Sequence, residues 1–168
     1  MIVVSDASPI ISLSAVGHLD LLHLLYQQIS IPDSVRQEIL RVNSDRPGVA
    51  ELKAADWIVT HSVEYSHLVR TLDGDLDRGE AEAIALAVHL RADLVLMDER
   101  RGRRIAGRFG LKVVGVLGVL IEAKARGFLP AVGPALDALL TVANFRIDPS
   151  LYLLVLRAAE ELPPTGNR

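Results

Sequence analysis

The chain has 168 residues and no cysteine. That excludes a disulfide framework, a thiolate zinc site and a thiol nucleophile, and it accords with a reducing compartment, so a cytoplasmic protein is expected. Its five histidines are scattered, His18 and His23 lie five apart, and no His-Glu-x-x-His run occurs. Imidazole-bound metal is therefore not the leading chemistry. Three Phe, three Tyr and one Trp leave little for stacking on nucleic-acid bases. Positive charge is not in excess either: the net charge of −3 excludes nucleic-acid binding through overall charge, though not through a local basic face. No apolar run approaches the roughly 20 residues of a membrane span, so no membrane partner is expected. The apolar start at Met1 lacks a basic flank and is interrupted by Asp6, so it reads as a first strand and not as a signal peptide. Neither Gly-x-Gly-x-x-Gly nor a phosphate-binding loop follows any strand, which argues against a nucleotide-binding enzyme.

Half of the chain is apolar, enough for a substantial core. One domain over residues 1–161 is expected, with 162–168 as a frayed tail. Short apolar runs alternate with helical patterns, the signature of βαβ units and a parallel sheet. Strands are predicted near 2–5, 28–31, 57–60, 94–97 and 112–115. Ser8-Pro9 reads as a cap and a first-turn proline, so a helix carrying Ile10, Leu13 and Ser14 should follow the first strand and stop at Gly17. A second helix is predicted over 18–26, and a third after Pro32, capped by Asp33 or Ser34, with Val35, Ile39 and Val42 as its apolar stripe. A short helix should lead to Trp57, the polar stretch 61–77 is ambiguous, and a helix over 80–90 begins after a capping Asp77. Gly115 and Gly118 permit a tight turn before a helix that Gly127 ends, and further helices are predicted near 131–141 and 149–161.

Four acids stand out against this frame. Asp6 and Asp98 each close an apolar strand, and acids at the carboxyl ends of parallel strands lie in the crevice where open α/β sheets bind ligands. Several carboxylates converging there would make a site for a divalent metal. With Ser8 read as the cap, Asp6 is left without a structural task. Glu38 interrupts an apolar stripe; it either pairs with Arg41 one turn on or is a ligand, since burying an unpaired carboxylate costs several kcal/mol, roughly, which a cation would offset. Glu80 and Glu82 sit in a first turn, where the helix dipole alone favours acids by about 0.3–1 kcal/mol. Glu80 is the better site candidate because it lies one turn before Ala83 and Ile84, with Glu82 in reserve. Asp98 is preferred to Glu99, one of which has the alternative of capping the following helix. That helix carries Arg100, Arg101, Arg103, Arg104 and Arg108, either a solvated face or a set of phosphate contacts.

Taken in order, Val4-Ser5-Asp6-Ala7-Ser8-Pro9, Ile31-Pro32 with Val35 to Glu38, Gly79-Glu80-Ala81-Glu82-Ala83-Ile84-Ala85-Leu86-Ala87, Met97-Asp98-Glu99-Arg100-Arg101-Gly102-Arg103 and Gly115-Val116-Leu117-Gly118-Val119-Leu120 resemble the PIN-domain family, and within it the VapC-like toxins. The likeness covers residues 1 to about 130. It implies a three-layer α/β/α domain around a central parallel sheet, and an acid cluster holding Mg²⁺ or Mn²⁺ for hydrolysis of RNA phosphodiesters. By position it assigns the metal and the catalysis to Asp6, Glu38, Glu80 and Asp98; many PIN proteins carry Asp at the third place, so Glu82 and Asp77 stay open there. Arg100, Arg101, Arg103 and Arg104 would meet RNA phosphate. The toxin likeness further implies a small antitoxin as partner, and the family likeness a homodimer.

Two rivals remain at this level. A receiver-like phosphoacceptor needs an Asp ending the third strand, where Thr60-His61 stands, and a Lys after the fifth, which Lys112 precedes. An inactive module of the same fold that binds RNA or a protein through the arginine helix is compatible with every residue named.

Overall fold

A computed structural model describes residues 1–46, 48–64 and 66–162. Five short strands, β1 Val3–Ser5, β2 Ile29–Pro32, β3 Ile58–His61, β4 Leu94–Leu96 and β5 Val113–Val114, form one sheet in the order β3-β2-β1-β4-β5, parallel throughout. Among the described residues ten helices connect and cover them. They are α1 Ala7–Ala15, α2 Asp20–Tyr26, α3 Asp33–Leu40, α4 Val49–Ala54, α5 His67–Asp73, α6 Arg78–Leu90, α7 Arg100–Arg108, α8 Val116–Ala125, α9 Gly133–Thr141 and α10 Pro149–Ala158.

The central strands are buried on both faces, as parallel strands between helical layers must be. Val3, Leu94 and Leu96 join a core with α1, α2, α3, α8 and α9, while Val4, Val95 and Met97 join a second core with α5, α6 and α7. That period-two split makes three layers, α/β/α. The chain leaves β1 toward β2 on one side and returns from β3 through α6 to β4 on the other. The strand order therefore reverses between β1 and β4, and a crevice opens at their carboxyl ends.

The five strands fall within about a residue of their expected places, and the ambiguous stretch 61–77 contains α5, capped by Ser66, whose side chain accepts from the Val69 amide at 3.4 Å. Three local expectations are corrected. Ser8 does not cap the first helix: the Asp6 amide still bonds the Leu96 carbonyl at 3.0 Å, so the helix begins directly at Ala7 with Asp6 as the N-cap residue and Ser8 inside the first turn. Neither Asp33 nor Ser34 caps α3, whose N-cap position is Pro32, the last residue of β2. Val42 lies beyond the end of α3, so the apolar stripe reduces to Val35 and Ile39. Tail residues 163–168 lie outside the described residues.

Candidate functional site

Asp6 sits where β1 becomes α1. It occupies the N-cap position, yet its side chain makes no capping bond to the helix, so its carboxylate is left for other tasks. It is only 6% exposed. Burial pushes its pKa from 3.8 up to about 7, and the Asp77, Glu80 and Glu38 carboxylates add to the rise, while the Ala7 amide opposes it. Three acids and no base thus shape the field at Asp6.

The meeting point is Gly79, in the first turn of α6. A Cβ there would stand 3.4 Å from Asp77 Oδ1, 3.4 Å from Glu38 Oε2 and 3.5 Å from Asp6 Oδ1. Glycine leaves a small space walled by three carboxylates from three segments: the β1 end, α3 and the turn before α6. Glu38 reaches it from the surface. Its side chain is exposed and not tucked beside the apolar stripe as expected; partial burial and Asp77 raise its pKa, and Arg41 opposes.

Asp77 and Glu80 prove complementary where the sequence posed them as alternatives. They form a reciprocal capping box: Asp77 Oδ1 accepts from the Glu80 amide at 2.8 Å and Glu80 Oε2 from the Asp77 amide at 3.1 Å. Glu80 Oε1 points toward α7, where a Cβ on Gly102 would come within 3.1 Å of it. Desolvation raises the pKa of Glu80, with Asp77, Glu99 and Glu38 acting in the same sense. Glu80 Oε2 is thus held by the capping box, and the carboxylate beside Gly79 is that of Asp77, whose Oδ1 is the capping oxygen. Asp77 was a reserve candidate; the signal that it belongs here is its capping position, which brings its carboxylate back over the first turn.

Asp98 stands apart. Its Oδ1 accepts from the Val116 amide, the first of α8, at 2.8 Å, and Arg103 lies beside it. Its Oδ2 is buried without a hydrogen-bond partner. Burial raises its pKa, opposed by Val116 and Arg103. Strand parity sends the two aspartates to different sides of the sheet. Asp6 continues the Val4 side, toward α6, whereas Asp98 continues the Leu94 and Leu96 side, toward α8. Among the described residues no three acids or histidines stand together at metal-ligand spacing.

Glu99 caps α7, accepting from the Arg101 amide at 3.4 Å. Glu82 is buried and pairs with Arg78 at 2.8 Å, away from the Gly79 space. The arginines divide as well. Arg101 pairs with Asp75, Arg103 donates to the Met97 carbonyl at 3.3 Å, Arg104 is exposed, and Arg100 and Arg103 line a cleft that opens at Asp98. A Cβ on Gly115 would lie 2.6 Å from both Arg103 Nη1 and Asp98 Oδ1, so a larger residue there would have to displace those side-chain ends. His23 stacks on Trp57 and His61 bonds Ser30, so these two histidines have structural partners.

A parallel three-layer sheet with acids gathered at its switch point defines a class of α/β proteins that act on ligands held in that crevice. A family model described as a PIN domain matches residues 2–161, and the chain belongs to the PIN-domain family. PIN domains are generally nucleases. Comparison with curated proteins and with solved structures finds no significant match. No helix among the described residues is long and apolar enough to cross a membrane.

Proposed function

We propose that the chain is a metal-dependent ribonuclease that hydrolyses RNA phosphodiester bonds, and that it is the toxin of a type II toxin–antitoxin pair like the VapC-like toxins. The observation that carries this reading is the space at Gly79, walled by Asp6, Glu38 and Asp77, with Asp6 raised to about 7 by burial and by neighbouring acids. Carboxylates held this close repel one another, and a cation among them offsets that repulsion.

The donor set fits a hard divalent ion, Mg²⁺ or Mn²⁺: it is all oxygen, and the chain has no thiolate to recruit a softer metal. Asp6, Glu38 and Asp77 would hold it. Glu80 positions Asp77 through the capping box, and Asp98 orients Arg103 and the start of α8. When bound, such an ion lowers the pKa of a water and stabilises charge on the phosphoryl and leaving oxygens. Arg100 and Arg103, which line the cleft at Asp98, would hold the RNA backbone, a positioning role with little sequence information. A small antitoxin encoded beside this chain would cover the acidic crevice, and the chain would act as a homodimer.

The test is digestion of a broad RNA panel in Mg²⁺ or Mn²⁺. Cutting is expected to stop with EDTA and with Asp6→Asn; if either leaves digestion intact, the nuclease reading is wrong. A neighbouring reading frame without a small partner would remove the toxin claim alone. One observation favours a second reading: no three acids stand at ligand spacing among the described residues. A parent protein that binds RNA and cuts none of the panel would establish a catalytically inactive binding module.

A further inference from the structure

A cleft of about 800 Å³ opens beside Asp98 and runs between α7, the β5–α8 turn and α10. That size is within the roughly 300–1,000 Å³ of sites that hold small ligands. Its lining is two-sided in chemistry. Leu117, Ile121, Leu151 and Val155 supply apolar surface, with Phe145 and the 59% exposed Leu154 as further apolar surface. Arg100, Arg103 and Arg146 also line it, and neither Arg100 nor Arg146 is in an ion pair among the described residues. Two acids line it as well: Asp148 caps α10 through the Leu151 amide at 2.9 Å, and Asp98 holds the Val116 amide through Oδ1 while its Oδ2 has no partner. In a chain of net charge −3, three guanidinium groups against two carboxylates give this apolar slot a small local excess of positive charge.

An unpaired nucleotide combines an apolar ring face with anionic phosphates on either side, and single-stranded RNA is held by stacking on aromatic or guanidinium planes with arginine at its backbone. Base-paired RNA hides those ring faces. We propose that this cleft receives an unpaired nucleotide of the RNA strand next to the bond being cut, with the base against Phe145 and Leu154 and the backbone phosphates on Arg100, Arg103 and Arg146. The inference rests on the ribonuclease reading above and adds to it the Asp98 side of the sheet, from α7 to α10. Arg146 and Phe145 thereby become binding residues on a segment remote in sequence from the arginine helix.

The test measures binding of the full chain to a short fluorescein-labelled single-stranded oligoribonucleotide by anisotropy, with Ca²⁺ in place of Mn²⁺ to hold the strand uncut, beside cutting in Mn²⁺. Arg146→Glu is expected to weaken binding about tenfold and Phe145→Ala about fivefold or more. Phe145→Leu keeps apolar bulk and removes the ring, so it too should weaken binding; because Phe145 packs partly against the core, its affinity is read at a temperature where melting shows the variant folded. A duplex of the same sequence should compete poorly. Unchanged affinity in Arg146→Glu and Phe145→Leu overturns the proposal, as does a parent that binds no single-stranded RNA; unchanged RNA affinity together with loss of a captured protein partner would assign the cleft to that partner. The two readings fail separately. A parent that never cuts, but whose binding falls with Arg146→Glu, sinks the ribonuclease and leaves the cleft; one that cuts, with variants that bind and cut like it, sinks the cleft alone.

Discussion

The carboxyl ends of β1 and β4 are neighbours in the sheet, each an apolar strand followed by an aspartate, and they end in different company. Asp6 meets other acids: Glu38, Asp77 and Glu80 all raise its pKa. Burial raises the pKa of Asp98 as well, but its neighbours, the Val116 amide and the Arg103 guanidinium, oppose that rise. One end is a concentration of negative charge that only a cation or protons relieve; the other is a carboxylate already half satisfied, with one buried oxygen left over. Similar sequence at two strand ends therefore does not mean similar chemistry. What differs is the helix that each side chain faces, α6 for the first and α8 for the second.

The sharpest way to break this contrast is to remove one charge at each end. Asp6→Asn should abolish metal-dependent cutting, a loss of roughly a hundredfold or more, at or beyond the ~10–100-fold that loss of an outer-shell partner costs. Asp98→Asn keeps an acceptor for the Val116 amide and should cost less; equal losses at both would show that the two ends act as one cluster. Next in size is Gly79→Ala. Its Cβ would meet carboxylate oxygens at 3.4–3.5 Å, an ordinary contact, so the protein should fold and gain up to ~0.4–1 kcal/mol from the stiffer unfolded chain. Yet the methyl would occupy the space between the acids, so stabilisation by Mn²⁺, read as a rise in melting temperature, should vanish.

The acids also set a pH dependence. Asp6 has its native pKa raised from 3.8 to about 7, so between those values the folded chain binds more protons than the unfolded one and stability falls as pH rises. In EDTA the melting temperature of the parent should therefore drop, relative to Asp6→Asn, from about pH 4 to about pH 7, by ~2–4 °C for each kcal/mol. Mn²⁺ should close the gap near neutral pH; a parallel pair of curves in EDTA would show that Asp6 is not held protonated. The last effect concerns folding at the β4 end and not cutting. Asp98→Ala strands the Val116 amide and should cost about 1–3 kcal/mol by denaturant melting, whereas Asp98→Asn should cost little.

Much of the frame was legible because its signals are local and repeated. The runs at Val3, Ile29, Ile58, Leu94 and Val113 are too short for helices and are separated by helical patterns, which leaves a parallel sheet as the consistent packing. Asp77 as a cap and Gly127 as a stop were readable for the same reason. Ser8 misled because Ser-Pro is a strong cap signal in isolation, but the ladder bond from the Asp6 amide to Leu96 brings strand and helix together two residues earlier. Glu38 misled in the opposite sense: its place three residues after Val35 and four before Val42 implied burial, while α3 ends at Leu40, short of Val42, and leaves the side chain exposed.

By itself the sequence determined the class of fold, the strand-end placement of Asp6 and Asp98, and the gathering of arginines after Asp98, because periodicity, caps and charge runs act over a few residues. Only the tertiary structure decided which acids meet. Asp6, Glu38 and Asp77 are far apart in the chain and come together at Gly79 because the sheet order reverses between β1 and β4 and directs the α6 N-terminus over the end of β1. The same packing turned Asp98 toward α8 and brought Phe145 and Arg146 beside Arg100 and Arg103, a long-range pairing that no local pattern encodes.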